Sequence, residues 1–157
     1  MKTTKSIAAA LFVALLTSCT SVTALRLTPS EAEWVARIMQ EPLSRDIAAD
    51  RVDLVWTRVQ WWVGMHAPST NQVESSNVIR THKLNIYSPA YVVDMRPNND
   101  GSGVLTVRCR ADAEQIPKKG LNFKRRCDLN AHLLMHYAVT GEEEPNPSMI
   151  WIGETSS

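Results

Sequence analysis

Apolar residues return along this chain with two different periods, and the switch between them separates helical from extended segments. Between 28 and 66 they recur every three or four positions, and between 77 and 110 every second position. Thr28-Pro29-Ser30-Glu31 reads as a helix start. Thr28 caps, Pro29 sits where no amide bond is lost, and Glu31 reaches back from three residues on. Trp34, Val35, Ile38 and Met39 then form one stripe, which ends before Pro42. A second helix is predicted from about Asp46 or Ala48 to His66, with Val52, Val55, Trp56, Val59, Trp62 and Val63 on one face and Leu54 and Trp61 off it. Its apolar stripe makes it the expected core of the domain, and Gly64 and Pro68 mark its close.

Alternation takes over at 77–84, where Val78, Arg80, His82 and Leu84 share one face and Ile79, Thr81 and Lys83 the other. At 90–96, Tyr91, Val93 and Met95 oppose Val92 and Asp94. At 104–110, Leu105, Val107 and Cys109 point in, with Thr106, Arg108 and Arg110 out. Asn98-Asn99-Asp100-Gly101-Ser102-Gly103 reads as a hairpin loop with residues suited to positive backbone angles, and Tyr87-Ser88-Pro89 as a second turn. The stretch 121–127 also alternates weakly and is expected as a fourth strand beside 104–110. Asp128 would then cap a third helix over 129–140 that stops at Gly141, and 149–152 is a possible edge strand. The expected fold is α+β: an antiparallel three- to four-stranded sheet packed on one face by two N-terminal helices and one C-terminal helix.

The first eighteen residues stand apart. Lys2 and Lys5 precede an uncharged apolar run from Ile7 to Leu16, and small residues follow. Ten residues of helix span about 15 Å, half of a hydrocarbon core of roughly 30 Å, so the run suits a signal sequence rather than a membrane span. Leu16-Thr17-Ser18-Cys19 at its end resembles the lipobox of bacterial lipoproteins. That resemblance implies removal of 1–18, a diacylglyceryl thioether on Cys19 and acylation of the new N-terminus. It also implies palmitate among the chains. Residues 19–27 would then be a tether, and 28–157 a single domain. Thr20 after the cysteine resembles an outer-membrane address in Gram-negative lipoproteins, which implies the periplasmic face of that membrane.

Composition adds limits. Loss of Lys2 and Lys5 with the signal leaves fifteen cations against sixteen anions, so no global charge favours nucleic acid. With 44% apolar residues and five tryptophans the chain can build a real core. Once Cys19 is acylated, Cys109 and Cys127 remain as an even pair in an oxidising compartment, and a disulfide between them is expected.

Candidate chemistry is sparse. His132 and His136 are one helical turn apart and could share a metal, but Leu133-Leu134-Met135 between them supplies no glutamate base. Glu142, His66 and His82 are the remaining candidate ligands. No Gly-x-Ser-x-Gly, Ser-x-x-Lys or phosphate loop is present, and no cofactor is expected. Between Arg108 and Arg126 seven cations face two acids, and strand alternation would place Arg108, Arg110, Lys124 and Arg126 on one face as an anion-binding patch. Aromatic residues are not interleaved with them, which argues against nucleic acid. The expected role is that of a small lipid-anchored envelope protein that binds another protein or an envelope component. The competing expectations are a metal-assisted hydrolase using His132 and His136, and an anionic-ligand binder.

Overall fold

A computed structural model of the chain describes residues 27–67, 71–81, 90–110 and 123–145. Three α-helices, α1 (Pro29–Ile38), α2 (Val52–His66) and α3 (Phe123–Thr140), accompany five strands. The strands are β1 (Ser44–Ile47), β2 (Asn71–Ser75), β3 (Val78–Thr81), β4 (Ala90–Pro97) and β5 (Gly103–Arg110). They form one antiparallel sheet in the order β1-β5-β4-β3-β2. The fold is α+β, as the period switch predicts. The expected signal, Cys19, the expected tether up to 26, the turn expected at 87–89 and the edge strand expected at 149–152 lie outside the described residues.

The predicted start of α1 is realised in full. Thr28 Oγ1 accepts from Glu31 N–H at 3.3 Å, and the Glu31 carboxylate accepts from Thr28 N–H at 2.6 Å. The expected alternation also holds on β4 and β5. Tyr91, Val93, Met95, Leu105 and Val107 are buried, while Arg108 and Arg110 are exposed. The β4–β5 loop is held by Asn98 N–H donating to Ser102 O at 2.8 Å, with Gly101 at φ 84°. Ser102 donates to the Asp100 carboxylate from Oγ and from the backbone, and these bonds hold that carboxyl below its ordinary range.

Three expectations need correction. Residues 44–47 are strand β1, paired with Gly103–Thr106, so α2 begins only at Val52 after a 3-10 turn at Ala49–Arg51. The stretch 123–127 is helix, not a fourth strand, and Asp128 lies inside α3 rather than capping it. The strands beyond the expected set are β1 and β2, both short. The third correction concerns the core, whose central helix is α3. Leu129, Asn130, Ala131, Leu133, Leu134, Met135, His136 and Ala138 are all buried, a pattern of burial on nearly every side. α2 contributes Val55, Val59, Trp62 and Val63, but Trp56, expected inside, is only half-buried.

These helices share one core with the inner face of the sheet. Trp62 meets Tyr91 edge-on with ring centroids 5.7 Å apart. The Tyr91 hydroxyl accepts from Asn130 Nδ2 at 3.0 Å. Burial outweighs that bond and a nearby arginine, and pushes the phenol up to about 12. Arg58, on α2, is also not the outward bystander its position suggests. Its guanidinium donates to the carbonyls of Ala138 and Val139, each at 3.4 Å, and Arg51 donates to Val139 O at 2.6 Å. Two cations thus satisfy carbonyls left open at the C-terminus of α3. Gly141, at φ 79°, then stops the helix with its N–H on Tyr137 O at 2.8 Å. A side chain there would meet the Arg58 guanidinium.

Candidate functional site

Two polar constellations stand out. The first lies where strand pairing stops. β1 begins at Ser44, and one residue earlier Leu43 O still accepts from Val107 N–H at 2.9 Å. Pro42 carries no donor and the chain turns away there, so among the described residues no strand covers the edge of β5 beyond Val107. A cavity of about 570 Å³ opens at this point, with Leu43, Arg80, Val92, Arg108, Arg110 and Asp128 among its lining residues.

Register explains why these groups meet. Arg80 of β3, Val92 of β4 and Arg108 of β5 are directly opposite one another in one row across the sheet. Their chain neighbours Ile79, Val93 and Val107 are buried, so the row faces outward, and Arg110 follows two residues along the same face. Asp128 approaches from α3. The Cys109–Cys127 disulfide, with Cα atoms 5.4 Å apart, ties that helix to β5 beside the cavity.

The expected four-residue basic face is therefore redrawn. Arg108 and Arg110 do lie together on the cavity wall. Arg126 is on α3 and is buried, 6% exposed, so it does not share the outer sheet face. Lys124 is also on α3, and its side chain is outside the described residues. Arg80 replaces them. Alternation places Arg80 outward, but only the β3–β4–β5 register brings it opposite Arg108.

The second constellation is around His136. Its Nδ1 lies 2.9 Å from Glu41 Oε1 and its Nε2 3.2 Å from Glu142 Oε2. Trp34 Nε1 donates to the other Glu142 oxygen at 3.2 Å, and the Trp34 ring stands edge-on to the imidazole at 5.4 Å. Glu41 also pairs with Arg45 at 3.3 Å. The Trp34 bond, then the His136 contact, holds the Glu142 carboxyl below its ordinary value. His136 thus ties α3 to the segment between α1 and β1 and to the loop after α3. Both ring nitrogens are engaged by carboxylates, which leaves no lone pair turned to a metal shared with His132. Burial lowers the pKa of the half-buried His132, against nearby acids and backbone carbonyls. Burial likewise lowers that of His66, against Glu144 and Glu143. His82 is outside the described residues. Among the described residues no group of three or more histidine, cysteine, aspartate or glutamate side chains is placed to hold a metal ion. No serine, threonine or cysteine side chain bonds the His136 ring there either. Chemically this cluster is a clasp.

No family model matches the chain, and neither the curated proteins nor the solved structures include a match.

Proposed function

We propose that the mature protein is a small lipid-anchored component of a bacterial cell envelope, with a binding or structural role rather than a catalytic one. The observation that carries this reading is Leu16-Thr17-Ser18-Cys19 directly after a charged and then apolar leader. Two acyl chains or more are needed for stable anchoring, since one holds a protein only marginally, and an acylated N-terminal cysteine supplies them. The membrane partner is then reached through Cys19, and Thr20 favours the periplasmic face of the outer membrane. A tether over 20–27 reaches at most about 28 Å when fully extended, which keeps the domain close to the bilayer and its resident proteins.

The binding role is supported by what the side chains are committed to. His136, the strongest catalytic candidate, is held between Glu41 and Glu142 in a clasp. The described cavity is lined by arginines rather than by a nucleophile with its base. The test is fractionation of wild type and Cys19→Ala, with membranes washed in high salt. Wild type is expected in the outer-membrane fraction and the variant in the soluble or unprocessed pool. A Cys19→Ala protein that is processed and stays with washed membranes contradicts the reading.

A further inference from the structure

We propose that the cavity at the open end of β5 binds a phosphoryl group, held chiefly by Arg108 and Arg110 with Arg80 across β4. This rests on the reading of the protein as a binding protein, but not on acylation of Cys19.

Spacing comes first. Neighbouring strands lie about 4.8 Å apart, so the Cα atoms of Arg80 and Arg108, flanking Val92, are separated by roughly 10 Å. Arg108 and Arg110 are separated by about 7 Å along β5. Those distances are within the convergence of side chains as long as arginine, and all three line the same cavity. Like charges this close oppose one another unless something anionic lies between them.

The described acids on this sheet face fall short of the cations. Arg80, Arg96, Arg108 and Arg110 point outward, against Asp46 and Asp94. Asp94, opposite Thr106 and Val78, is a diagonal neighbour of both Arg80 and Arg108, so its single negative charge lies beside two cations. Arg80 and Asp128 are each engaged with other groups as well, which is why Arg108 and Arg110 carry the assignment.

The number of forks selects the ligand. A carboxylate offers two oxygens in one plane, whereas a phosphoryl group carries more charge and offers three oxygens arranged around phosphorus, which suits guanidinium groups arriving from different directions. The volume, about 570 Å³, leaves room for more than a bare ion. The disulfide from Cys109 to Cys127 fixes α3 beside β5, so the wall is built before the ligand arrives.

Phosphoryl groups in an envelope come free in solution or on lipid headgroups, and one titration separates the sources. The full mature protein, kept in neutral detergent, is titrated calorimetrically with glycerol phosphate and with dihexanoyl phosphatidic acid, which carries the same headgroup on short soluble chains. Succinate is the carboxylate control. Binding of either phosphorylated probe is expected, tenfold or more tighter than succinate and weakened by salt. Arg108→Gln and Arg110→Gln should each lower it at least tenfold while melting like wild type, and Arg108→Lys should recover only part. Preference for glycerol phosphate assigns a soluble ligand, and preference for the short-chain lipid a headgroup. Failure of both probes to bind, equal binding of succinate, or affinity unmoved by both glutamine variants overturns the proposal. None of these outcomes depends on where Cys19 fractionates.

Discussion

Nδ1 of His136 lies 2.9 Å from Oε1 of Glu41, a residue 95 positions earlier, and this contact joins the central helix to the turn that leads into the edge strand. His136 is 5% exposed, so its polar ring is buried only because Glu41 and Glu142 meet both nitrogens. Removing the ring takes the partner from Glu41 Oε1 and leaves that partly buried carboxylate only its pair with Arg45. His136→Ala should cost about 1–3 kcal/mol, the range for an orphaned buried polar group. Urea denaturation of the variant beside wild type measures it, and coincident midpoints would mean the clasp is idle.

Tryptophan burial divides α2 sharply. Trp62 is 1% exposed against Tyr91, whereas Trp61 is 46% exposed and merely leans on Tyr137. Trp62→Ala should cost about 3–5 kcal/mol, a large part of a small domain's stability of roughly 5–15 kcal/mol. Trp61→Ala should stay within about 1 kcal/mol of wild type. Thermal melts of the two variants check the contrast, and similar losses would refute it.

The disulfide spans eighteen residues between β5 and the first turns of α3. In the chain-entropy account a loop of this length stabilises by about 3 kcal/mol. Peptide mapping without reductant should recover the segments around Cys109 and Cys127 linked. The Cys109→Ala, Cys127→Ala double variant should unfold at correspondingly lower denaturant. Two free thiols in the native protein would remove this contribution.

Stability should fall as the medium is acidified, in two windows. Burial depresses the folded pKa of His66 and His132 below 6.5, so the unfolded chain takes up protons first. Their neutral forms favour the fold above about pH 6.5, and that contribution is lost as pH falls through their lowered values. Glu142 is depressed below 4.5, so its share is present above that value and lost further into acid. It is small, because the side chain is 54% exposed. Denaturation midpoints between pH 7.5 and 5.5 should drop less in the His66→Gln, His132→Gln double variant than in wild type. An equal drop in both would show that other groups set the slope.

Periodicity reveals those parts of the fold whose partners are predictable from one face alone. The capping box at Thr28 and Glu31, the alternation around Val93 and Val107, and the loop at Asn98–Gly101 are local, and each is legible. β1 is not, because Ser-Arg-Asp-Ile has no apolar alternation of its own and forms by pairing with Gly103–Thr106. The start of α3 misleads for a related reason. Leu121, Phe123 and Arg125 alternate with Asn122, Lys124 and Arg126 by chance, and the helix is carried on by the buried run from Leu129. Two of the cavity's three arginines, Arg108 and Arg110, follow from alternation on β5. Arg80 joins them through register across two strand pairs, which no single segment encodes.

The most direct measurement for the account as a whole is the intact mass of the protein extracted from membranes of cells that make it. A chain beginning at Cys19 and carrying a diacylglyceryl thioether with a further N-linked acyl group is the predicted result, its mass reverting to a bare or unprocessed chain in Cys19→Ala. A chain that begins elsewhere, or that retains Cys19 as an unmodified thiol, would contradict the proposal that this protein is anchored by lipid in the envelope.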